Sequence, residues 1–135
     1  MAKPLLLVAA AALVDSDGRV LLCQRPEGKA LAGLWEFPGG KVEPGEDELE
    51  ALVRECQEEL GVVIRVLDRV GEDVPLAHGW ALLRVWLAEI ESGEPQALEH
   101  SALTWLGPDE LDSVPWLPAD APIVAEVAKV LAAAR

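Results

Sequence analysis

GKVEPGEDELEALVRECQEELGV, residues 40 to 62, is the stretch that decides the fold. Between Asp47 and Leu60 the apolar residues Leu49, Leu52, Val53, Cys56 and Leu60 form one stripe at helical spacing, which predicts an amphipathic α-helix. Asp47 can cap its start, with Glu50 three residues on, a relative of the capping box. Gly61 can end it as a left-handed residue. At about 100° per residue, Glu55, Glu58 and Glu59 cover an arc beside the stripe. Like charges three and four residues apart destabilise a helix by roughly a few tenths of a kcal/mol each. Near the C-terminus they also oppose the helix dipole. A solvated acidic face is the plain reading. A bound divalent cation is the chemical one, because carboxylate oxygens are hard ligands suited to Mg2+ or Mn2+. The preceding loop favours the cation: Gly39-Gly40 lets backbone approach a ligand closely, with carbonyls free to coordinate it.

Upstream, Leu5 to Val14 and Arg19 to Gln24 read as two strands joined as a hairpin by the turn Asp15-Ser16-Asp17-Gly18. The apolar start also has the look of a short secretory signal, but it leads directly into this hairpin pattern and reads as a buried strand. It is too short to span a bilayer. Leu34 to Phe37 reads as a short strand, broken by Pro38-Gly39-Gly40. Downstream, Val62 to Val70, Trp80 to Glu91 and Ala102 to Leu106 read as strands. Pro108 to Leu111 reads as a single helical turn. Ala121 to Ala134 reads as a terminal helix with Pro122 in its first turn. Strands, helix, strands, helix implies an α+β fold, an α/β/α sandwich with a mixed β-sheet flanked by helices. All 135 residues fit one domain.

The formal net charge is -13, which disfavours a basic patch for DNA or RNA. A small polyanion can still bind where cations sit between carboxylates and phosphates. Cys23 and Cys56 lie in apolar surroundings and read as buried, reduced thiols of a cytoplasmic protein. Trp35, Trp80, Trp86, Trp105 and Trp116 are expected in or near the core. His78 and His100 read as surface residues.

Residues 40 to 62 resemble the Nudix box, GX5EX7REUXEEXGU with U aliphatic. Gly40, Glu46, Arg54, Glu55, Glu58, Glu59, Gly61 and Val62 match, and Cys56 stands at the first U, where a buried thiol serves as a small hydrophobe. The resemblance implies that Glu55, Glu58 and Glu59 hold Mg2+, with Mn2+ as a substitute and the Gly39 carbonyl as a further ligand. It implies a structural ion pair between Arg54 and Glu46. Glu99, in the loop before the strand at Ala102, fits the acidic second region that completes the site in this family. Which of Glu55, Glu58 and Glu99 is the general base stays open.

Leu34 to Lys41 and the tail Leu117 to Pro122 resemble the MutT-like branch, whose members remove unwanted nucleotides; only Val70 to His78 aligns poorly. The resemblance places Arg25 and Lys41 against the substrate, Phe37 and Trp116 along the base pocket, and Asp120 facing the base. Asp120 can equally cap the last helix. Ionised, it only accepts hydrogen bonds; protonated, it donates as well. The expected function is Mg2+-dependent hydrolysis of a nucleoside triphosphate to the monophosphate and pyrophosphate, with 8-oxo-dGTP preferred. CTP, dCTP or 5-methyl-dCTP is the rival substrate, and a non-catalytic nucleotide-sensing module the rival of another class. The expected partner is a small nucleotide, with no nucleic acid polymer and no membrane. The assembly is a monomer or a homodimer.

Overall fold

The strand that organises the molecule is β1 (Leu6–Leu13), whose residues Ala9 to Leu13 are each at most 3% exposed. A strand buried on both faces reads as a continuous apolar run, the signature of a central strand with a parallel neighbour. In the computed structural model, which describes residues 6–76 and 79–133, β1 pairs in parallel with β7 (Ala81–Ser92), Leu6 opposite Ala81 through Leu13 opposite Ala88. On its other edge β1 pairs antiparallel with β4 (Gly39–Lys41). β5 (Val63–Arg69) and β6 (Val74–Leu76) each pair antiparallel with β7 and complete a mixed sheet. A second, antiparallel sheet is ordered β3 (Trp35–Glu36), β2 (Val20–Gln24), β8 (Ala102–Leu106).

The expected β1–β2 hairpin is therefore corrected. The turn forms, with Asp15 Oδ1 accepting from the backbone N–H of Asp17 and Arg19. Beyond one isolated bridge, Val14 to Val20, the two strands belong to different sheets. Both edges of β1 are already taken, so the turn sends the chain across to the second sheet.

Alternation along β1 divides the core. Ala9, Ala11 and Leu13 pack with Leu52, Cys56 and Leu60 of α1 (Glu48–Leu60). Ala10 and Ala12 lie on the other side with Val124, Val127 and Leu131 of α2 (Ala121–Ala133). One helix thus covers each side, and each fully buried leucine contributes about 2–3 kcal/mol. The Asp47 carboxylate caps α1 by accepting from Leu49 and Glu50 N–H, and Gly61 closes it at φ 72°. The helical stripe is narrower than its sequence suggests: Leu49 is exposed and Glu59 is buried in its place. Trp80 is also exposed, against expectation. The turn expected at Pro108 to Leu111 is a 3-10 turn at Leu111–Ser113. Leu5, His78 and Ala134 fall outside the described residues.

Candidate active site

Among the described glycines, the two in β4 stand closest to their neighbours. A Cβ on Gly39 would lie 2.1 Å from Ala9 O, and a Cβ on Gly40 2.4 Å from Glu55 Cδ. Gly39 is needed because the β1 backbone presses on it, whereas Gly40 meets the movable end of the Glu55 side chain. The Gly39 N–H donates to Glu59 Oε2 at 3.0 Å, tying the strand to α1.

Arg54 fastens the rest. Its Nε and Nη2 donate to the two oxygens of Glu46 at 2.8 and 3.0 Å, a bidentate pair. Nη1 reaches Glu55 at 2.9 Å and Glu58 at 3.3 Å. Nη2 also donates to Lys41 O at 3.3 Å. The hydrogen bond from Arg54 holds Glu46 below its ordinary carboxylate range, with help from the Glu43 N–H. Glu55 is pushed upward by burial, and Arg54 opposes the push. Burial raises Glu59 much further, to about 9; the charge of Glu55 adds to the rise, and the Gly39 N–H opposes it.

The loop after β7 delivers Glu99 and His100. The N–H groups of Gln96 and Leu98 donate to Leu60 O and Glu59 O, which α1 leaves unpaired at its end. That anchor brings the loop against Glu59. Arg25, Gly39, Lys41, Glu55, Glu59 and Glu99 then line one concavity of about 350 Å³. Glu36, Lys29 and His100 share it, and the sequence marks none of the three as a site residue. A larger hollow of about 630 Å³ beside Asp15 and Gly93 has no lysine or arginine in its lining. It is poorly suited to phosphate.

His100 corrects the sequence reading outright: its side chain is 4% exposed, with Nε2 3.0 Å from Glu36 Oε2 and 3.7 Å from Glu59 Oε1. Glu36 in turn accepts from Arg25 Nη1 at 3.3 Å, while Arg25 Nε donates to Ala30 O. Glu58 is half-exposed, rests on Arg54 and does not line the concavity.

The residues expected at a base pocket do not line it, although Asp120 feels the charges of Glu36 and Arg25, which do. Phe37 is buried, and its ring packs on Trp116 at 4.9 Å between centroids. Trp116 borders a separate hollow with Leu111, Asp112 and the start of α2. Asp120 is buried at the head of α2, but its carboxylate reaches away from the helix, Oδ2 accepting from Phe37 N–H at 2.9 Å. Burial raises it to about 7, against the pull of that hydrogen bond.

A divalent cation is compatible with this donor set. Among the described residues no three His, Cys, Asp or Glu side chains already converge at metal-ligand spacing. Two of the glutamates are drawn onto Arg54 instead. Yet Glu59 is buried beside Glu55 and Glu99, an arrangement of hard oxygens whose mutual repulsion a cation relieves. Mg2+ keeps several waters and needs few protein oxygens.

The sequence profile of the NUDIX domain matches residues 4–127. Over 126 residues the chain is 44% identical to the CTP pyrophosphohydrolase of Escherichia coli (strain K12), covering 93% of each. Over 128 residues it is 44% identical to a Mycobacterium tuberculosis (strain ATCC 25618 / H37Rv) protein named "Putative 8-oxo-dGTP diphosphatase 2", covering 93% of this chain and 89% of that one. A MutT NUDIX hydrolase of Burkholderia pseudomallei superposes with a TM-score of 0.77 at 34% identity, covering 93% of this chain and 99% of that one.

Proposed function

Since this chain belongs to the Nudix family and is one of its nucleotide pyrophosphohydrolases, we propose that it clears 8-oxo-dGTP from the nucleotide pool with the help of Mg2+. The observation that carries this reading is the single concavity where Glu55, Glu59 and Glu99 face Arg25, Lys29 and Lys41. Carboxylates alone repel a triphosphate, and basic side chains alone do not hold a divalent ion. Together they suit a cation–polyphosphate pair.

A bound cation supplies charge neutralisation on the phosphates and makes an attacking water more acidic. Glu55, Glu59, Glu99 and the Gly39 carbonyl are the groups that would hold it, and Glu58 would join them only on leaving Arg54. Arg25, Lys29 and Lys41 grip the phosphate oxygens. Arg54, locked by Glu46, keeps Glu55 turned toward β4. Water attacks phosphorus, its proton passes to Glu55 or Glu99, the α–β phosphoanhydride bond breaks, and the products are the nucleoside monophosphate and pyrophosphate. Glu58 is disfavoured as the base, because it rests on Arg54 outside the concavity.

Asp120 selects the base. A carboxyl raised to about 7 exists in both forms near neutral pH. Protonated, it donates to O6 of 8-oxoguanine while accepting from N7–H. The same pair of roles fits N3 and the N4 amino group of cytosine. That fit, and the 44% identity to a CTP pyrophosphohydrolase, favour cytidine nucleotides as a second reading. The two buried free thiols suit a reducing compartment such as the cytoplasm.

Pyrophosphate release from a panel of nucleotides with Mg2+ tests both readings. Highest kcat/KM for 8-oxo-dGTP supports the first; highest for CTP, dCTP or 5-methyl-dCTP supports the second. Turnover of none of them contradicts both.

A further inference from the structure

The His100 ring lies where no surface histidine should. Its side chain is 4% exposed, and Nε2 reaches Glu36 Oε2 at 3.0 Å and Glu59 Oε1 at 3.7 Å. Its other nitrogen, Nδ1, is buried with no hydrogen-bond partner among the described residues. A histidine kept for structural reasons ordinarily satisfies both nitrogens, because an unpaired buried polar atom is destabilising. Among the described residues this ring is held from its carboxylate side. Nε2 therefore carries the proton it donates, and the contacts run in a chain. Arg25 donates to Glu36, Glu36 accepts from His100, His100 lies against Glu59, and Glu59 accepts from Gly39 N–H.

We propose that His100 is a positioning residue, which fixes the Glu59 carboxylate for the divalent cation and joins it through Glu36 to the phosphate-facing Arg25. The proposal rests on the cation reading given above. A group that orients a ligand without touching the metal has a recognisable weight: its loss lowers metal affinity by about 10–100-fold. Because the same residue also steadies Glu36, its loss loosens Arg25, which belongs to substrate binding more than to the chemical step.

Mn2+ binding is measured on the purified full chain by electron paramagnetic resonance, for wild type, His100→Leu and His100→Gln. Circular dichroism checks the fold of each, and steady-state kinetics follow with Mg2+. His100→Gln keeps an N–H donor near the Nε2 position, whereas His100→Leu removes it. His100→Leu is expected to bind Mn2+ about 10–100-fold more weakly and to raise KM by a larger factor than it lowers kcat. His100→Gln is expected to stay within about threefold of wild type on both counts. Wild-type Mn2+ affinity in His100→Leu overturns the proposal and leaves the cation reading standing. Equal losses in both variants also overturn it, since packing alone would explain them. A wild-type chain that binds no Mn2+ overturns the cation reading and the proposal together.

If His100→Leu does not fold, nitrogen-15 spectra of the wild-type imidazole decide. The proton must sit on Nε2, and its resonance must move on addition of Mg2+. A proton on Nδ1, or an Nε2 resonance indifferent to Mg2+, overturns the proposal.

Discussion

Glu59 makes the metal-free protein lose stability as the solution becomes more alkaline. The carboxyl has an ordinary value of 4.5 and stands at about 9 in the fold. Between those values the folded chain holds a proton that the unfolded chain has released. Unfolding then releases that proton, so stability falls as pH rises through the interval and is unaffected by this group below 4.5. The slope approaches one proton, or about 1.4 kcal/mol per pH unit. For a chain of this size that is about 5 °C in Tm per unit. Asp120, at about 7, adds a slope of the same sign at lower pH, so the interval from pH 7 to 8 isolates Glu59 best. Thermal unfolding would be followed there in EDTA, for wild type and Glu59→Gln. The wild type should lose up to about 5 °C across the unit, and Glu59→Gln should be close to flat. Saturating Mg2+ should flatten or reverse the wild-type slope, because the ion binds the carboxylate that the fold otherwise resists. Stabilisation at a concentration of 100 Kd would be about 2.7 kcal/mol. Equal slopes in wild type and Glu59→Gln without metal would refute the reasoning.

Other outcomes follow from the same geometry. Glu55→Gln should lower kcat by about 10²-fold or more, read by pyrophosphate release; wild-type turnover would contradict its placement. Asp120→Asn retains an oxygen to accept from Phe37 N–H but fixes one donor in place, so the ratio of kcat/KM for 8-oxo-dGTP over CTP should change by about tenfold, the scale of one net hydrogen bond. Unchanged preference would remove Asp120 from base selection. Gly40→Ala places a methyl 2.4 Å from Glu55 Cδ, so activity should fall by at least about tenfold, the scale of a small misplacement near reacting groups. Circular dichroism should show the fold retained, and near-normal activity would mean that Glu55 can step aside without consequence.

The helix from Glu48 to Leu60 is legible in the sequence because three independent signals agree: the apolar period, the Asp47 cap and the Gly61 stop. β4 is not. Gly39 and Gly40 have poor strand propensity, and they are paired because β1 offers them an edge. The β1–β2 turn is readable, but the partner of β1 is not, since its opposite residues lie 75 positions on, Leu6 facing Ala81, and nothing local announces the pairing. Within the site, glutamates at fixed spacing are visible to a reader of sequence. His100 is not, because its burial depends on the loop at Gln96 and Leu98 being fastened to the last carbonyls of α1. Glu36 is hidden for a similar reason. Its neighbours Arg25 and His100 come from opposite ends of the three-stranded sheet's sequence, and β2 brings them together.

The alternation of alanines along β1 has a genetic corollary. An added methyl on Ala9 or Ala11 would press on α1 and disturb cleavage of any nucleotide. The same change at Ala10 or Ala12 would press toward α2, whose head carries Asp120, and disturb which nucleotide is accepted. Variants with altered tolerance for bases should therefore accumulate at even-numbered positions of this strand, and variants that are simply dead at odd ones.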